Sequence, residues 1–313
     1  MKNTTKKAKL DALCDLPGLR VGHAQNKRAK TGCTVIVPEN GAVAGVDVRG
    51  AAPGTREIEL LRPVRLVQHI HALLLTGGSA FGLDAAGGVQ QFLEEHGIGF
   101  DTGFAKVPIV PTAVIFDLAV GSADIRPDKK MGYRAAQNAV ADDASAGLVG
   151  AGTGATVGKA AGSEHAMPGG LGQASEQVND TVVVAALVVV NAFGDVIGKD
   201  GEILVGARAN DGTFFDSIAL LRKMSAGQQA FASNTTLAVV ATNAALSKEA
   251  CTKVAQMAHD GLARAINPIH TMYDGDIAFA LSCGSEPGDA TVIGAVGAEL
   301  VARAVRKAVQ HKL

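Results

Sequence analysis

Ser233-Asn234-Thr235-Thr236-Leu237-Ala238-Val239-Val240 passes from a polar stretch directly into an apolar one. On its own this is a loop entering a buried strand, predicted over 236–242. The hydroxyls allow a second reading. A threonine hydroxyl is protonated at neutral pH and needs a base before it can attack. One solution is to make the threonine an N-terminus, because its freed α-amine, with an ordinary pKa near ~8, then sits beside Oγ and can take the proton. In this chain that would require cleavage of the Asn234–Thr235 bond.

Downstream, Asp274-Gly275-Asp276 precedes a second predicted strand, 277–282. Residues two apart in an extended chain point the same way, so both carboxylates can converge on one place. There they could orient a nucleophile or hold an ammonium group; alone, the motif reads better as an acidic turn with Gly as punctuation, and no EF-hand spacing surrounds it. Upstream, 181–190 and 195–198 read as a strand pair turned by 191–194, with Asn191 at the strand end. Lys159 lies in a glycine-rich loop, 147–162. A lone loop lysine is usually solvated and a lone asparagine beside a turn is usually turn chemistry. Thr76-Gly77-Gly78-Ser79-Ala80-Phe81-Gly82 reads as a strand, a glycine turn and a helix capped by Ser79 that runs to about His96. Such a turn can aim backbone N–H groups at an anion, but it matches no nucleotide-binding fingerprint and reads better as a tight strand-to-helix turn.

Farther out, 34–37 and 42–48 are expected to form a hairpin across Pro38-Glu39-Asn40-Gly41. Helices are expected over 55–71 (kinked at Pro63), 130–146, 247–266 and 289–310, and further strands over 72–75 and 113–118. The basic end of the last helix, with Arg303, Arg306 and Lys307, reads as a solvated face. Strands and helices mix without regular alternation, so the fold class is α+β, layered, with mixed or antiparallel sheets rather than a doubly wound parallel one.

With 47% hydrophobic and 19% charged residues, the 313-residue chain can bury a large core and is not disordered. No linker composition interrupts it, so one domain is expected. A net charge of −1 excludes nucleic-acid binding driven by bulk positive charge, and 4% aromatics with no Trp makes base-stacking platforms improbable. The longest apolar run, 182–190, is too short to span a bilayer, and no apolar stretch follows Lys2, Lys6, Lys7 and Lys9, so neither a membrane nor a signal peptide is expected and the location is read as cytoplasmic. Cys14, Cys33, Cys251 and Cys283 are scattered without a CxxC, and no HExxH occurs, so no metal or other cofactor is expected.

Together these segments resemble the P1 family of peptidases, which comprises L-aminopeptidase/D-amidase/esterases, β-peptidyl aminopeptidases and endo-type 6-aminohexanoate (nylon) oligomer hydrolases. The similarity is carried by Asn234-Thr235-Thr236-Leu237, Val240-Ala241-Thr242-Asn243, Ile269-His270-Thr271 and Asp274-Gly275-Asp276, and earlier by Gly77 to Leu83, Ala113 to Asp117 and Gly158-Lys159. It spans nearly the whole chain and leans toward the nylon oligomer hydrolases. The resemblance implies an αββα sandwich of the N-terminal-nucleophile-hydrolase type, made as one chain over 1–313 and self-processed into 1–234 and 235–313. It implies Thr235 as nucleophile, Asn234–Thr235 as the processed bond, Asp274 and Asp276 as the carboxylates that position it, and Lys159 and Asn191 as neighbours in the site. Asn191 and backbone N–H groups are candidates for an oxyanion hole. The implied activity is hydrolysis of a small amide, peptide or 6-aminohexanoate oligomer through an acyl-enzyme, by a homo-oligomer, tetrameric or larger. The alternatives are acyl transfer to an amine, as in ornithine acetyltransferases, or a non-enzymatic metabolite-binding protein using the Gly77-Gly78 turn. Position 116 is Phe where the nylon oligomer hydrolases and some aminopeptidases have Tyr, so a phenolic hydrogen bond to the site is absent.

Overall fold

The computed structural model describes residues 10–223 and 234–310. Ser233 and the N-terminal lysines of the sequence reading lie outside them. Two sheets lie face to face. One has five strands in the order Leu19–Asn26, Thr31–Pro38, Leu73–Thr76, Thr112–Val114, Thr55–Arg56. The other has six, in the order Gly170–Gln177, Val183–Asn191, Thr235–Ala244, Ile277–Glu286, Ala42–Val48, His69–Ile70. Helices Ala85–Glu95 and Lys129–Gln137 cover the outer face of the first sheet, and Lys248–Ala263 and Ala290–Ala308 cover that of the second. The result is the expected αββα sandwich.

The alternation within the central strands shows why. In Val183–Asn191, Val184, Ala186, Val188 and Val190 point into the helix-side core, while Ala185, Leu187 and Val189 point into the core between the sheets. In the neighbouring strand, Ala238 and Val240 face the helices, and Leu237, Val239 and Ala241 face the other sheet. A strand buried on both faces has no polar face to show, so its sequence is a continuous apolar run. A third core, including Val35, Leu74, Val89, Leu93 and Met131, fills the space under the first helix pair.

Several local expectations are corrected. The strands around Pro38-Glu39-Asn40-Gly41 do not form a hairpin. Thr31–Pro38 already has neighbours on both edges in the first sheet, and the turn carries the chain across to the second. The pair expected across 191–194 also separates. Val183–Asn191 is flanked on both edges, and Asp195–Ile197 joins Ile203–Val205 and Ile266–Asn267 in a small three-stranded sheet. Residues 55–71 are not a helix. Pro63 removes a donor, and the buried Lys248 ammonium binds the carbonyls of Leu60, Arg62 and Arg65 at 2.9, 3.2 and 3.1 Å, oxygens a helix would have used itself. The helix expected from Ser79 begins as a 3₁₀ turn, Ser79–Asp84, and the one expected over 130–146 ends at Gln137. Strands Leu19–Asn26 and Gly170–Gln177 carry no clear sequence signal and were not expected. The basic helix end is not merely solvated: Arg303 and Lys307 pair with Asp11, and Arg306 Nε donates to the Ile197 carbonyl at 3.0 Å. Among the described residues, no helix is long and apolar enough to cross a membrane.

Candidate active site

Thr235 opens one strand of the six-stranded sheet. Its antiparallel neighbour ends at Asn191, which is opposite Thr235 in register. Its parallel neighbour begins at Ile277, so Asp274-Gly275-Asp276 arrives at the same end, and Asn234 bridges to Asp274. Strand direction alone therefore gathers residues as far apart in sequence as Asn191, Thr235 and Asp276. The loop of residues 49–52 holds the acidic turn in place, with Arg49 and Gly50 N–H on the Asp276 carbonyl and Ala52 N–H on that of Asp274. The Lys159 loop is tied in by Gly158 and Lys159 N–H groups on the carbonyls of Gly194 and Phe193.

The five side chains singled out in the sequence meet here. Thr235 is 4% exposed, Asp274 1%, and Asn191 and Asp276 0%, while Lys159 is half-buried with its ammonium end turned inward. Lys159 Nζ donates to Asn191 Oδ1 at 2.9 Å and to the Asn191 carbonyl at 3.2 Å. Burial pushes this ammonium down to about 7, against the opposing pull of Asp274 and Asp276. Burial, reinforced by Asp276, raises the Asp274 carboxyl to about 6. Asp274 Oδ2 accepts from Thr271 N and Oγ1 at 2.9 and 2.6 Å, and Oδ1 from Phe193 N at 3.4 Å. Asp276 Oδ1 accepts from Thr236 N at 2.6 Å, which anchors the start of the strand beside Thr235.

The Asn234–Thr235 peptide lies in the middle. Thr235 Oγ1 donates to the Asn234 carbonyl oxygen at 2.5 Å, and Gly275 N–H donates to the same oxygen at 2.8 Å. The carbonyl that a Thr235 attack would turn into an oxyanion therefore already holds a backbone donor. Asn191 Nδ2, by contrast, donates to the Phe116 carbonyl at 3.0 Å. Gly275 has to be glycine, because a Cβ there would come within 2.8 Å of Thr235 Oγ1 and 2.5 Å of the Ala52 carbonyl oxygen.

Sequence reasoning did not single out Gly275 or assign His270 a role. His270 donates its backbone N–H to Asp276 Oδ2 at 3.1 Å, and its Nδ1 lies 2.8 Å from the same oxygen. Its Nε2 lies 3.2 Å from Nδ1 of the fully buried His259, whose own basicity burial lowers to about 4. His270 thus positions Asp276 from behind. The available signal was its place four residues before Asp274-Gly275-Asp276.

A cavity of about 560 Å³ adjoins the site through Lys159 and Thr156 and is walled in part by Phe116. The Gly77-Gly78 turn offers no comparable place for an anion. The N–H groups of Gly77, Gly78 and Ser79 go to the Gly32 carbonyl, Asp117 Oδ1 and the Ile115 carbonyl at 2.8, 2.7 and 3.0 Å. Among the described residues, no group of three or more His, Cys, Asp or Glu side chains could hold a metal ion.

The model of peptidase family S58 matches residues 11–312. An uncharacterized aminopeptidase of Mycobacterium tuberculosis is 42% identical over 328 residues, covering 95% of this chain and 92% of its own. A 6-aminohexanoate-oligomer endohydrolase of Agromyces sp. is 32% identical over 318 residues, covering 94% and 84%. Among solved structures, a β-aminopeptidase of Burkholderia sp. superposes with a TM-score of 0.69 at 22% identity, covering 96% of this chain and 86% of that one. The L-aminopeptidase/D-Ala-esterase/amidase of Ochrobactrum anthropi, described as a variant of the Ntn-hydrolase fold, does so at 0.68 and 16%, covering 96% and 85%. The chain belongs to peptidase family S58, the L-aminopeptidase/D-amidase family, and is an amide hydrolase built on the Ntn-hydrolase fold.

Proposed function

We propose that this hydrolase cuts its own Asn234–Thr235 bond and then uses Thr235 as an N-terminal nucleophile on small amides, with peptides and 6-aminohexanoate oligomers as the substrate classes that its relatives' names suggest. The observation that carries this reading is the Asn234 carbonyl. Its oxygen is held by Gly275 N–H, with the Thr235 hydroxyl against it, in a buried pocket that also contains an amine of lowered basicity.

In the uncut chain, Oγ of Thr235 attacks the Asn234 carbonyl carbon. Lys159, in part unprotonated near neutrality, takes the hydroxyl proton. The Gly275 N–H holds the oxyanion. Collapse breaks the C–N bond, and the nitrogen leaves as the protonated amine of Thr235. Water then hydrolyses the resulting ester, leaving a carboxylate on Asn234 and a free Thr235. In the two-piece enzyme the Thr235 α-amine is the base nearest its own Oγ. Attack on a substrate amide gives an acyl-enzyme and releases the amine product, and water then releases the acid. Asp276 keeps Thr235 in register through the Thr236 N–H throughout.

The test is the intact mass of the purified protein under denaturing conditions. Two species, residues 1–234 and 235–313, with Thr235 at the new N-terminus, are expected in place of the single 31.8 kDa chain. An uncut chain that stays uncut on incubation overturns the proposal.

A further inference from the structure

The sequence left Asp274 and Asp276 with two roles, pinning the nucleophile or holding a substrate ammonium. Their hydrogen bonds bear on the choice. Both oxygens of each carboxylate already accept from the protein: Thr271 and Phe193 at Asp274, Thr236 and His270 at Asp276. Both side chains are buried, and neither lines the cavity.

The cavity has the opposite charge preference. Its wall is apolar, with Phe116, Val120, Leu148 and Pro168, and its titratable lining residues are all amines, Lys27, Lys30 and the partly protonated Lys159, with no carboxylate among them. Lys27 and Lys30 are exposed, whereas Thr235 is buried. Two nearby acids are turned elsewhere. Asp117 binds the Gly78 N–H, and the Glu164 carboxylate folds back so closely over Gly162 that a Cβ there would meet it at 2.5 Å. The residues outside the described ranges contain no Asp or Glu at all. A cleft of one sign with an apolar wall concentrates ligands of the other sign.

We infer that the cavity selects amides that carry a carboxylate over those whose only charge is a free ammonium group. The inference rests on the hydrolase reading above. It makes the carboxylate, rather than a free amino terminus, the recognised group, with the rest of the substrate lying on the apolar wall.

The test uses the processed enzyme and matched probes. Glutaryl-, acetyl- and free alanine p-nitroanilide place a negative, neutral or positive group on the acyl side. An acetylated dialanine and its C-terminal amide vary the leaving side. A kcat/KM about 10-fold higher for the carboxylate member of at least one set is expected, falling as salt is added. In Lys27→Glu/Lys30→Glu, the ratio of carboxylate to neutral substrate should drop about 10-fold within a single preparation, a readout that partial misfolding does not move. A cut enzyme that prefers free alanine p-nitroanilide, or whose ratios ignore the charge reversal, overturns this inference and leaves the hydrolase reading standing. An uncut chain inert on every probe overturns both.

Discussion

Two places in this molecule are built from the same parts. At Gly77-Gly78, a buried carboxylate, Asp117, accepts a backbone N–H at 2.7 Å beside a glycine with no room for a Cβ. At Asp274-Gly275-Asp276, a buried carboxylate again accepts a backbone N–H, at 2.6 Å, beside a crowded glycine. The difference lies in what faces them. Around Asp117 every nearby N–H is satisfied by the protein, and the turn only joins a strand to a helix. Around Asp276 the glycine N–H is aimed at one peptide carbonyl, with a hydroxyl and an amine close by. A buried carboxylate beside a glycine is therefore structural by default, and it is the added hydroxyl and amine that give such a place the means for chemistry.

The strongest way to break the comparison is to remove the proposed nucleophile. Thr235→Ala should leave the chain entirely uncut by intact mass, since the attacking oxygen is gone; a cut variant would place the chemistry elsewhere. Next come the two glycines. Gly275→Ala keeps the N–H but drives a methyl group against Thr235 Oγ1 and the Ala52 carbonyl, and the resulting misplacement should slow processing by about 100-fold. Gly77→Ala puts a Cβ within 2.0 Å of Asp117 Oδ2 and should instead cost about 1–3 kcal/mol of stability, seen as a lower Tm, with processing retained below that temperature. If both variants lose rate and neither loses Tm, the distinction fails.

The pH dependence sharpens it further. On the proposed mechanism Lys159 must be unprotonated to take the Thr235 proton, so the processing rate should rise with pH through about 7 and then level off. Lys159→Met should remove that step along with most of the rate. The smallest effect belongs to Asp117. Burial raises its carboxyl above 3.8, so between those values the folded chain holds a proton that the unfolded chain releases, and stability falls as pH rises through that interval. Asp117→Asn cannot titrate and should flatten that part of the Tm–pH curve while leaving processing intact.

How much was legible in advance follows the range of the interactions. Helices 248–263 and 290–308 announce themselves by Ser247 and Asp289, whose side chains cap them, and by their apolar periodicity. Val183–Asn191 and Thr235–Ala244 announce themselves as apolar runs. Each of the five candidate site residues was individually ambiguous, and they became one candidate site only through the family resemblance. Gly275 escaped notice because what matters is its N–H and its missing Cβ, and neither is visible without the Thr235 hydroxyl beside it. The failed hairpins share one cause: a local turn signal says that the chain reverses, and it does not say whether the strand on the far side finds its partner in the same sheet.

The sequence by itself determined that this is a layered α+β protein with doubly buried strands, and which residue types could act as nucleophile, acid and base, because composition, periodicity and side-chain chemistry are local properties. Only the tertiary structure decided that Pro38-Glu39-Asn40-Gly41 crosses between sheets, that Asn191, Thr235 and Asp274-Gly275-Asp276 share one sheet end, and that the Asp carboxylates are committed inward while the cavity beside them carries lysines. Those outcomes depend on which distant strands complete each other's hydrogen bonds, and no stretch of chain contains its own partner.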